Sequence, residues 1–270
     1  MTKRGRLVGL LLAGVVLLGS APTRADGLDE IQARGKLIVG TKADYRPFGF
    51  REASGAIVGF EPDLAADVAR KLGVKLELTP VVTADRIRLL TEHKLDLVIA
   101  TMNATDERRQ LIDFVEPSYY ASGVNVLAPK SLHLHVWQEL HGKPVCMIDG
   151  SFYISEIRER YDPVVQTFNN TSTMYPALRG QKCAAVVYDD TAIIGQLQIP
   201  DWQDFEMPLR SILVQPWGMG VAKGETRLEA VLSDLVREWH RSGRIQELEK
   251  HWNIPSSAFA DEMHRKYLGE

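Results

Sequence analysis

From residue 36 onward the chain alternates short apolar runs with stretches of helical period, and this alternation restricts the fold more than any other feature. The run Leu37–Gly40 predicts a first strand, and Pro62 stands at a position that suits the first turn of a helix. Leu64, Val68 and Leu72 then recur at the spacing of one helix face. Strands that alternate with helices in this way form mostly parallel sheets flanked by helices, so the sequence predicts an α/β fold.

The same pattern starts again in the second half of the chain. Apolar runs and helical stretches alternate from Lys143 to about Gln215, and two helices are predicted after them, at Thr226–Arg241 and Ile245–Trp252. A chain of 270 residues is long enough for two ordinary domains. Two α/β units therefore indicate two lobes, with the residues that follow each strand facing a ligand cleft between them.

The first 25 residues differ from the rest of the chain. A basic start is followed by the apolar run Leu7–Leu18, which is too short to cross a bilayer, and small residues then lead to Asp26. This layout predicts a secretory signal peptide, residues 1–25, with an uncleaved anchor as the alternative. Because no later apolar run approaches the roughly 18 residues that a membrane span needs, we expect a periplasmic protein.

Composition excludes several classes of function. A formal net charge of −3 at pH 7 gives no basic excess for a nucleic-acid partner. Two cysteines and seven scattered histidines are too few for a zinc module. The predicted export nevertheless favours a disulfide, because Cys146 and Cys183 form an even pair in a chain bound for an oxidising compartment. We predict a disulfide between them, with two buried thiols as the alternative.

Charged and polar residues follow most of the predicted strands. Arginine binds a carboxylate through two hydrogen bonds, and a carboxylate accepts hydrogen bonds from an ammonium group. Cations from the first half of the chain and the acid pair Asp189-Asp190 from the second half would suit a small zwitterion that carries extra negative charge. The candidate binding residues are Lys42, Tyr45, Arg86, Thr101, Asn103, Arg108, Ser151 and Asp189.

Six segments carry a resemblance to a known family. They are GKLIVGTKADYRPFGF, GAIVGFEPDLAADVARKLG, LDLVIATMNATDERRQLIDFVEPSYY, GKPVCMIDGS, ALRGQKCAAVVYDDTAIIGQL and QPWGMGVAKG. In this order they resemble the extracytoplasmic solute-binding proteins of polar amino-acid ABC importers, bacterial solute-binding family 3. The resemblance implies a two-lobe periplasmic-binding-protein clamshell (type II), with hinge crossings placed near Val126–Pro129 and Ser211–Gly220. It assigns residues 26–127 and 216–270 to the first lobe and residues 128–215 to the second.

The resemblance also implies roles for individual residues. Arg108 matches the arginine that holds the α-carboxylate of the substrate, and Asp189 matches the acid that accepts from its α-ammonium group. Thr101 and Asn103 match polar positions beside that arginine. Ser151 matches a hydroxyl in a turn of the second lobe.

Two further basic residues favour an acidic ligand. The segments VGTK and VVTADRIRLL resemble those of aspartate- and glutamate-binding members, in which basic residues at the Lys42 and Arg86 positions face the side-chain carboxylate. A buried charge without a partner is costly, so spare cations in the cleft would argue against a neutral ligand. If Lys42 and Arg86 point to solvent instead, a neutral polar amino acid is expected. A basic amino acid is the remaining alternative, because Asp190 adds a second acid beside Asp189.

The resemblance extends to secreted enzymes of the same fold, the cyclohexadienyl and arogenate dehydratases, whose opening segment is similar to DYRPFGF. Their proton-transferring acid lies a few residues beyond the Asp189 position, where this chain carries no acid after Asp190. Since acid–base catalysis needs a titratable group within reach, we predict a binding protein and not an enzyme, without cofactor or metal. The expected partners are an amino-acid ligand and the permease of an ABC transporter in the inner membrane, and we expect a monomer.

Overall fold

The computed structural model describes residues 27–269, which form two lobes, each built on one main sheet with helices packed against it; a smaller three-stranded antiparallel sheet is formed within residues 44–58. The predicted signal peptide, residues 1–25, lies outside the described residues. Within residues 27–269, no helix has both the length and the apolar character that a membrane crossing requires.

The described residues contain fourteen strands and ten α-helices, which are numbered along the chain. The strands are β1 (Lys36–Thr41), β2 (Asp44–Tyr45), β3 (Gly49–Arg51), β4 (Ile57–Val58), β5 (Lys75–Pro80), β6 (Leu97–Val98), β7 (Asp113–Phe114), β8 (Tyr120–Pro129), β9 (Pro144–Ile148), β10 (Val164–Phe168), β11 (Ala185–Asp189), β12 (Phe205–Glu206), β13 (Ile212–Trp217) and β14 (Gly220–Val221). The helices are α1 (Gly27–Arg34), α2 (Phe60–Leu72), α3 (Arg86–Thr91), α4 (Asp106–Leu111), α5 (Ile154–Tyr161), α6 (Thr171–Arg179), α7 (Asp190–Leu197), α8 (Thr226–Ser242), α9 (Arg244–His251) and α10 (Ala258–Tyr267), with short 3-10 helices at Thr83–Asp85, Lys130–Leu132, Trp137–Leu140 and Pro200–Trp202.

The first lobe is built on a five-stranded sheet with the order β5-β1-β6-β14-β7. β1 lies parallel to β5 and to β6, whereas β14 pairs antiparallel with β6 and β7. α2 packs on this lobe through Leu64 and Val68, both fully buried on the face that their spacing predicts. It ends at Gly73, whose φ of 69° is the left-handed conformation that glycine adopts at helix ends.

The second lobe is built on a six-stranded sheet with the order β10-β9-β11-β8-β12, to which β13 is added on β8. β9 lies parallel to β10 and β11, and β8 pairs antiparallel with β11, β12 and β13. The predicted α/β fold in two lobes is therefore confirmed, with parallel and antiparallel pairs in both sheets.

A two-stranded ribbon connects the lobes. The first part of β8, residues 120–123, pairs only with β13, and from Val124 onward β8 also pairs with β11 inside the second sheet. The first crossing therefore lies at the start of β8 and not near Val126–Pro129, because the apolar run that suggested a crossing there belongs to the second sheet. The lobe boundary that was predicted after residue 127 likewise lies earlier in the chain, at the start of β8. The return crossing, from β13 to β14, falls within the predicted segment Ser211–Gly220.

Aromatic side chains fix the ribbon to the first lobe. The Trp217 ring at the end of β13 lies 5.1 Å from Phe48, 5.6 Å from Tyr120 and 6.0 Å from Tyr45, measured between ring centroids. All four side chains are buried. The cluster gives the hinge a rigid base on the side of the first lobe, since buried rings in edge contact pack in few arrangements.

The last three helices return the chain to the first lobe. α8 is amphipathic and buries Leu228, Leu232 and Val236. α10 packs along α8, and the Tyr267 ring stacks on the buried His240 ring at 5.8 Å between centroids. Both ends of the described chain, α1 and α10, thus lie against α8.

The predicted disulfide between Cys146 and Cys183 is confirmed. Cys146 lies in β9, Cys183 comes just before β11, and these two strands are neighbours in the second sheet. Their Cα atoms are 5.7 Å apart, within the range that a disulfide spans.

Candidate ligand-binding site

A small, nearly closed cavity with room for about one water molecule lies between the two lobes. Six of the eight predicted binding residues line it, because strand ends of both lobes meet at this edge. The lining residues are Thr83, Arg86, Thr101, Asn103, Arg108, Ser151, Phe152, Tyr153, Tyr188 and Asp189.

Arg108 reaches the cavity from the first turns of α4. This helix begins after Thr105, whose hydroxyl accepts a hydrogen bond from the Arg108 amide at 3.4 Å. The guanidinium donates through Nη1 to the Asn103 carbonyl and through Nη2 to the Gly150 carbonyl of the second lobe, both at 3.1 Å. Burial lowers the pKa of Arg108 to about 9, and the nearby Arg86 charge also lowers it. The group remains a cation at neutral pH.

Asp189 enters the cavity from the opposite lobe, at the end of β11. Its side chain is 7% exposed, and its Oδ2 accepts a hydrogen bond from the Tyr45 hydroxyl of the first lobe at 3.1 Å. Burial raises the pKa of Asp189 to about 7, and the neighbouring Asp190 raises it as well, whereas the Tyr45 hydrogen bond lowers it. An ammonium group in the cavity would lower this pKa again, because an opposite charge favours the ionised form.

Arg86 begins α3 and uses part of its guanidinium to hold the first lobe together. Nε donates to the Thr83 carbonyl at 3.1 Å, and Nη1 donates to the carbonyls of Ala100 at 2.5 Å and Thr101 at 3.0 Å. Nη2 makes no hydrogen bond to any residue from 27 to 269 and belongs to a side chain that lines the cavity. Arg86 therefore stabilises the first-lobe side of the site, and its Nη2 group remains available as a donor to a ligand.

Lys42 does not line the cavity with the other predicted residues. Its ammonium group is fully buried and pairs with Asp44 Oδ1 at 3.0 Å, with the Thr83 hydroxyl at 3.5 Å. Asp44 in turn accepts from the Thr171 amide at 2.8 Å, at the N-terminus of α6 in the second lobe. The charge that the sequence argument reserved for a ligand is thus neutralised by a residue two positions along the chain.

Tyr45 and Asp190 also lie outside the cavity lining. Tyr45 acts between the lobes, because its hydroxyl contacts Thr191 Oγ1 at 2.6 Å in addition to Asp189. Asp190 points to the hinge, where its Oδ1 accepts from the Ser122 hydroxyl at 2.7 Å and the Gly123 amide at 3.1 Å. The two adjacent aspartates therefore face different parts of the molecule.

Four lining residues were not among the sequence candidates. They are Thr83, Phe152, Tyr153 and Tyr188. Tyr153 and Tyr188 are almost completely buried, so periodicity marks them as core residues. Their position beside Ser151 and Asp189 in the chain is the only signal by which the sequence could have found them.

The arrangement places a cation from one lobe and a carboxylate from the other around a small enclosed space. These charges are complementary to the carboxylate and ammonium groups of a zwitterion. No group of three or more histidine, cysteine, aspartate or glutamate residues within 27–269 is arranged to hold a metal ion.

Comparison with known proteins identifies the family. The family of bacterial extracellular solute-binding proteins, family 3, matches residues 37–255. The chain belongs to this family. It is a solute-binding protein and not an enzyme, as its relatives named for binding are.

Several family 3 proteins are similar over most of their length. The L-cystine-binding protein TcyJ of Escherichia coli is 28% identical over 254 residues, which cover 92% of this chain and 95% of that protein. The ABC transporter glutamine-binding protein GlnH of Bacillus subtilis is 27% identical, with 86% of each chain covered.

Solved structures show the same two-lobe fold. A mutant of the arginine-binding protein of T. maritima is 28% identical and superposes with a TM-score of 0.79 over 84% of this chain and 98% of that one. An ancestral amino-acid-binding protein, described as a precursor of cyclohexadienyl dehydratase, is 27% identical with a TM-score of 0.75, over 84% of this chain and 99% of its own.

Proposed function

We propose that this protein captures a polar amino acid in the periplasm and delivers it to the permease of an ABC transporter. The observation that carries the proposal is that Arg108 of the first lobe and Asp189 of the second line one cavity. Arg108 would bind the α-carboxylate and Asp189 the α-ammonium group, with Thr101, Asn103 and Ser151 as polar neighbours. Relatives named for cystine and glutamine support an amino-acid ligand.

Capture would proceed by closure of the lobes. Two of the site's own hydrogen bonds already cross the cleft, from Arg108 to the Gly150 carbonyl and from Tyr45 to Asp189. A ligand that contacts both walls binds the closed form more tightly than the open form, and it therefore shifts the equilibrium towards closure. The permease would then recognise the closed shape.

The charges around the cavity favour a ligand without net charge. Lys42 is neutralised by Asp44, and the Arg86 guanidinium donates to three backbone carbonyls. The Arg86 guanidinium keeps its charge, but most of its donors are used within the first lobe. Arg108 and Asp189 are then the cation and the acid placed to pair with a ligand, and an amino acid without net charge balances them. We therefore propose a polar amino acid with an uncharged side chain.

Aspartate or glutamate is the second candidate. Arg86 favours it, because this side chain lines the cavity and its Nη2 makes no hydrogen bond within residues 27–269. A side-chain carboxylate at that donor would gain a charge-assisted hydrogen bond. The two candidate ligand classes differ by one negative charge, so titration with isosteric pairs of amino acids distinguishes between them.

Export through a cleaved signal peptide is part of the proposal. The basic start and apolar run of residues 1–25 support it, together with a disulfide in the second lobe. Periplasmic extraction of the full-length chain, followed by the mass of the purified protein, should give a mature chain that begins at Asp26.

Isothermal titration tests the function. The purified protein is unfolded without reductant, dialysed to remove copurified ligand, refolded, and titrated with single amino acids. We expect tight binding of one polar amino acid and a loss of about 100-fold or more in Arg108→Ala, the cost of removing one member of a buried charge pair. Arg109→Ala is the matched control, because Arg109 is partly exposed, does not line the cavity and pairs with Glu116. Binding of no amino acid, or equal losses in the two variants, would contradict the proposal.

A further inference from the structure

A buried carboxylate that does not line the cavity contacts the backbone of a residue that does. Glu61, in the first turn of α2, is fully buried and is not a lining residue. Its Oε1 accepts hydrogen bonds from the Thr101 amide at 2.6 Å and from the Tyr119 hydroxyl at 2.5 Å. Its Oε2 has no hydrogen-bond partner within the described part of the chain. Such a group costs free energy to bury, so its presence calls for a physical reason.

Glu61 and Arg86 hold the same residue from opposite sides. Glu61 accepts from the Thr101 amide, and Arg86 donates to the Thr101 carbonyl at 3.0 Å. Thr101 lines the cavity with a φ of 48°, in the left-handed region that a β-branched residue rarely adopts. Backbone in such a conformation persists where its surroundings hold it in place, as here by one anion and one cation.

Glu61 also supplies the negative charge within the first lobe that acts on Arg86. Among the buried cations of the first lobe, Lys42 has Asp44 as its partner, and Arg108 faces the second lobe. Within residues 27–269 Arg86 forms no ion pair with a carboxylate; burial lowers its pKa, and the charges of Asp189 in the second lobe and Glu61 in its own lobe both raise it. Burial raises the pKa of Glu61 to a net value of about 7, against which the charges of Arg86 and Lys42 lower it. The three first-lobe side chains therefore interact electrostatically behind the ligand.

We propose that Glu61 determines the charge of the ligand that the cavity accepts. Its carboxylate provides the negative charge that Arg86 would otherwise take from a ligand, and it positions the Thr101 backbone at the same time. Glu61 is thus a positioning residue for specificity, acting through Arg86 and Thr101. This inference depends on the proposed function, because it concerns the amino acid bound in the same cavity.

A second glutamate in the chain offers a matched control. Glu249 in α9 is almost completely buried, and its Oε1 accepts from the Tyr120 hydroxyl at 2.8 Å and from the Ser257 amide at 3.1 Å. Its Oε2 also lacks a partner within residues 27–269, and it does not line the cavity. The two glutamates share the same local chemistry and differ in their position relative to the ligand.

The experiment compares Glu61→Gln, Glu61→Asp and Glu249→Gln with the unmodified protein by isothermal titration at about pH 8.5, where Glu61, with a pKa of about 7, is ionised and the α-ammonium group of a ligand is still charged. The probes are three isosteric pairs: glutamate with glutamine, aspartate with asparagine, and arginine with citrulline. In Glu61→Gln, the more negative member of each pair that binds should gain about tenfold over its partner, the effect of removing one charge at moderate distance in the protein. Glu61→Asp keeps the charge and should retain the original ratio. Glu249→Gln should change stability while it leaves the ratio within about twofold, because its charge lies outside the site.

The outcomes separate this inference from the proposed function. An unchanged ratio in Glu61→Gln, in a protein that still binds an amino acid, overturns the role of Glu61 alone. An equal shift in Glu61→Gln and Glu249→Gln overturns it too, because a general effect of burying an amide would then explain the change. If the unmodified protein binds no amino acid, the proposed function fails and the specificity role fails with it.

Discussion

The two walls of the cavity are held in place in different ways. On the side of the first lobe, Arg86 is fixed by carbonyls of its own lobe, and Lys42 pairs with Asp44 beside it. On the side of the second lobe, Asp189 accepts its side-chain hydrogen bond from Tyr45, which belongs to the opposite lobe. Arg86 is therefore held in place by its own lobe, whereas Asp189 acquires its side-chain partner only when the lobes meet. Preorganisation of one wall lowers the cost of ordering the site, and the other wall makes binding depend on closure.

Replacement of the acid on the second wall should have the largest effect. In Asp189→Asn we expect amino-acid affinity to fall about 100-fold or more, because a buried ammonium group loses its only anionic partner in the cavity. Isothermal titration measures the loss. Asp190→Asn is the matched neighbour and should stay within about threefold of the original affinity, since its amide oxygen can still accept from Ser122 and Gly123 at the hinge. Equal losses in the two variants would contradict the assignment of Asp189.

The pH dependence of binding should be the next largest effect. Asp189 must be ionised to accept from an ammonium group, and burial raises its pKa to about 7. We expect affinity to rise by up to about tenfold per pH unit between about pH 5 and pH 7 and to become constant above that range. Titrations at several pH values measure the slope, which should be absent in Asp189→Asn. A slope that persists in this variant would assign the titration to another group.

Stability of the protein without ligand should change with pH in the opposite direction. Glu61 and Asp189 both have a pKa of about 7 in the folded protein, above the values near 4 of the unfolded chain. Each therefore contributes stability that is present below about pH 4 and is lost as the pH rises to about 7. Thermal unfolding of Glu61→Gln and the unmodified protein across this range isolates the contribution of Glu61. A difference between them that does not change with pH would contradict it.

The smallest expected effect concerns a contact between the lobes beside the cavity. The Thr171 hydroxyl donates to the Asp44 carbonyl oxygen at 2.5 Å across the cleft. In Thr171→Val we expect ligand release to be about three- to tenfold faster, the kinetic equivalent of one hydrogen bond of the closed form. Stopped-flow dissociation measures the rate. Thr173→Val is the control, because the Thr173 hydroxyl donates to Asn170 within the second lobe and should leave release unchanged.

Much of the architecture could be predicted from the sequence because it depends on local patterns. Alternating periodicity predicted the α/β lobes, and an exported pair of cysteines beside two apolar runs predicted the disulfide. The sequence alone predicted that Arg108 and Asp189 face one cleft, because both lie next to strand ends and the strand ends of both lobes meet there. Their roles in binding stay predictions until ligands are measured.

The remaining features depend on contacts between distant segments. Asp44, the partner of Lys42, was visible in the sequence, but the sequence does not show that the two side chains meet. Glu61 has the appearance of an ordinary helix-start acid, and only the packing of α2 against Thr101 buries it. The position of the first crossing was wrong because apolar composition does not show with which strand β8 pairs.

The ribbon of β8 and β13 has a consequence for the freedom of the second lobe. Two adjacent antiparallel strands, with Tyr120 opposite Trp217, join the lobes side by side, and the Trp217 ring is packed among first-lobe aromatic rings. A body attached through two neighbouring tethers can swing about the line that joins them, while rotation about either strand is opposed by the other. The walls that carry Arg108 and Asp189 therefore meet each other at a high effective concentration and in one orientation. The chain connectivity therefore restricts the two lobes largely to that orientation before any ligand contributes binding energy.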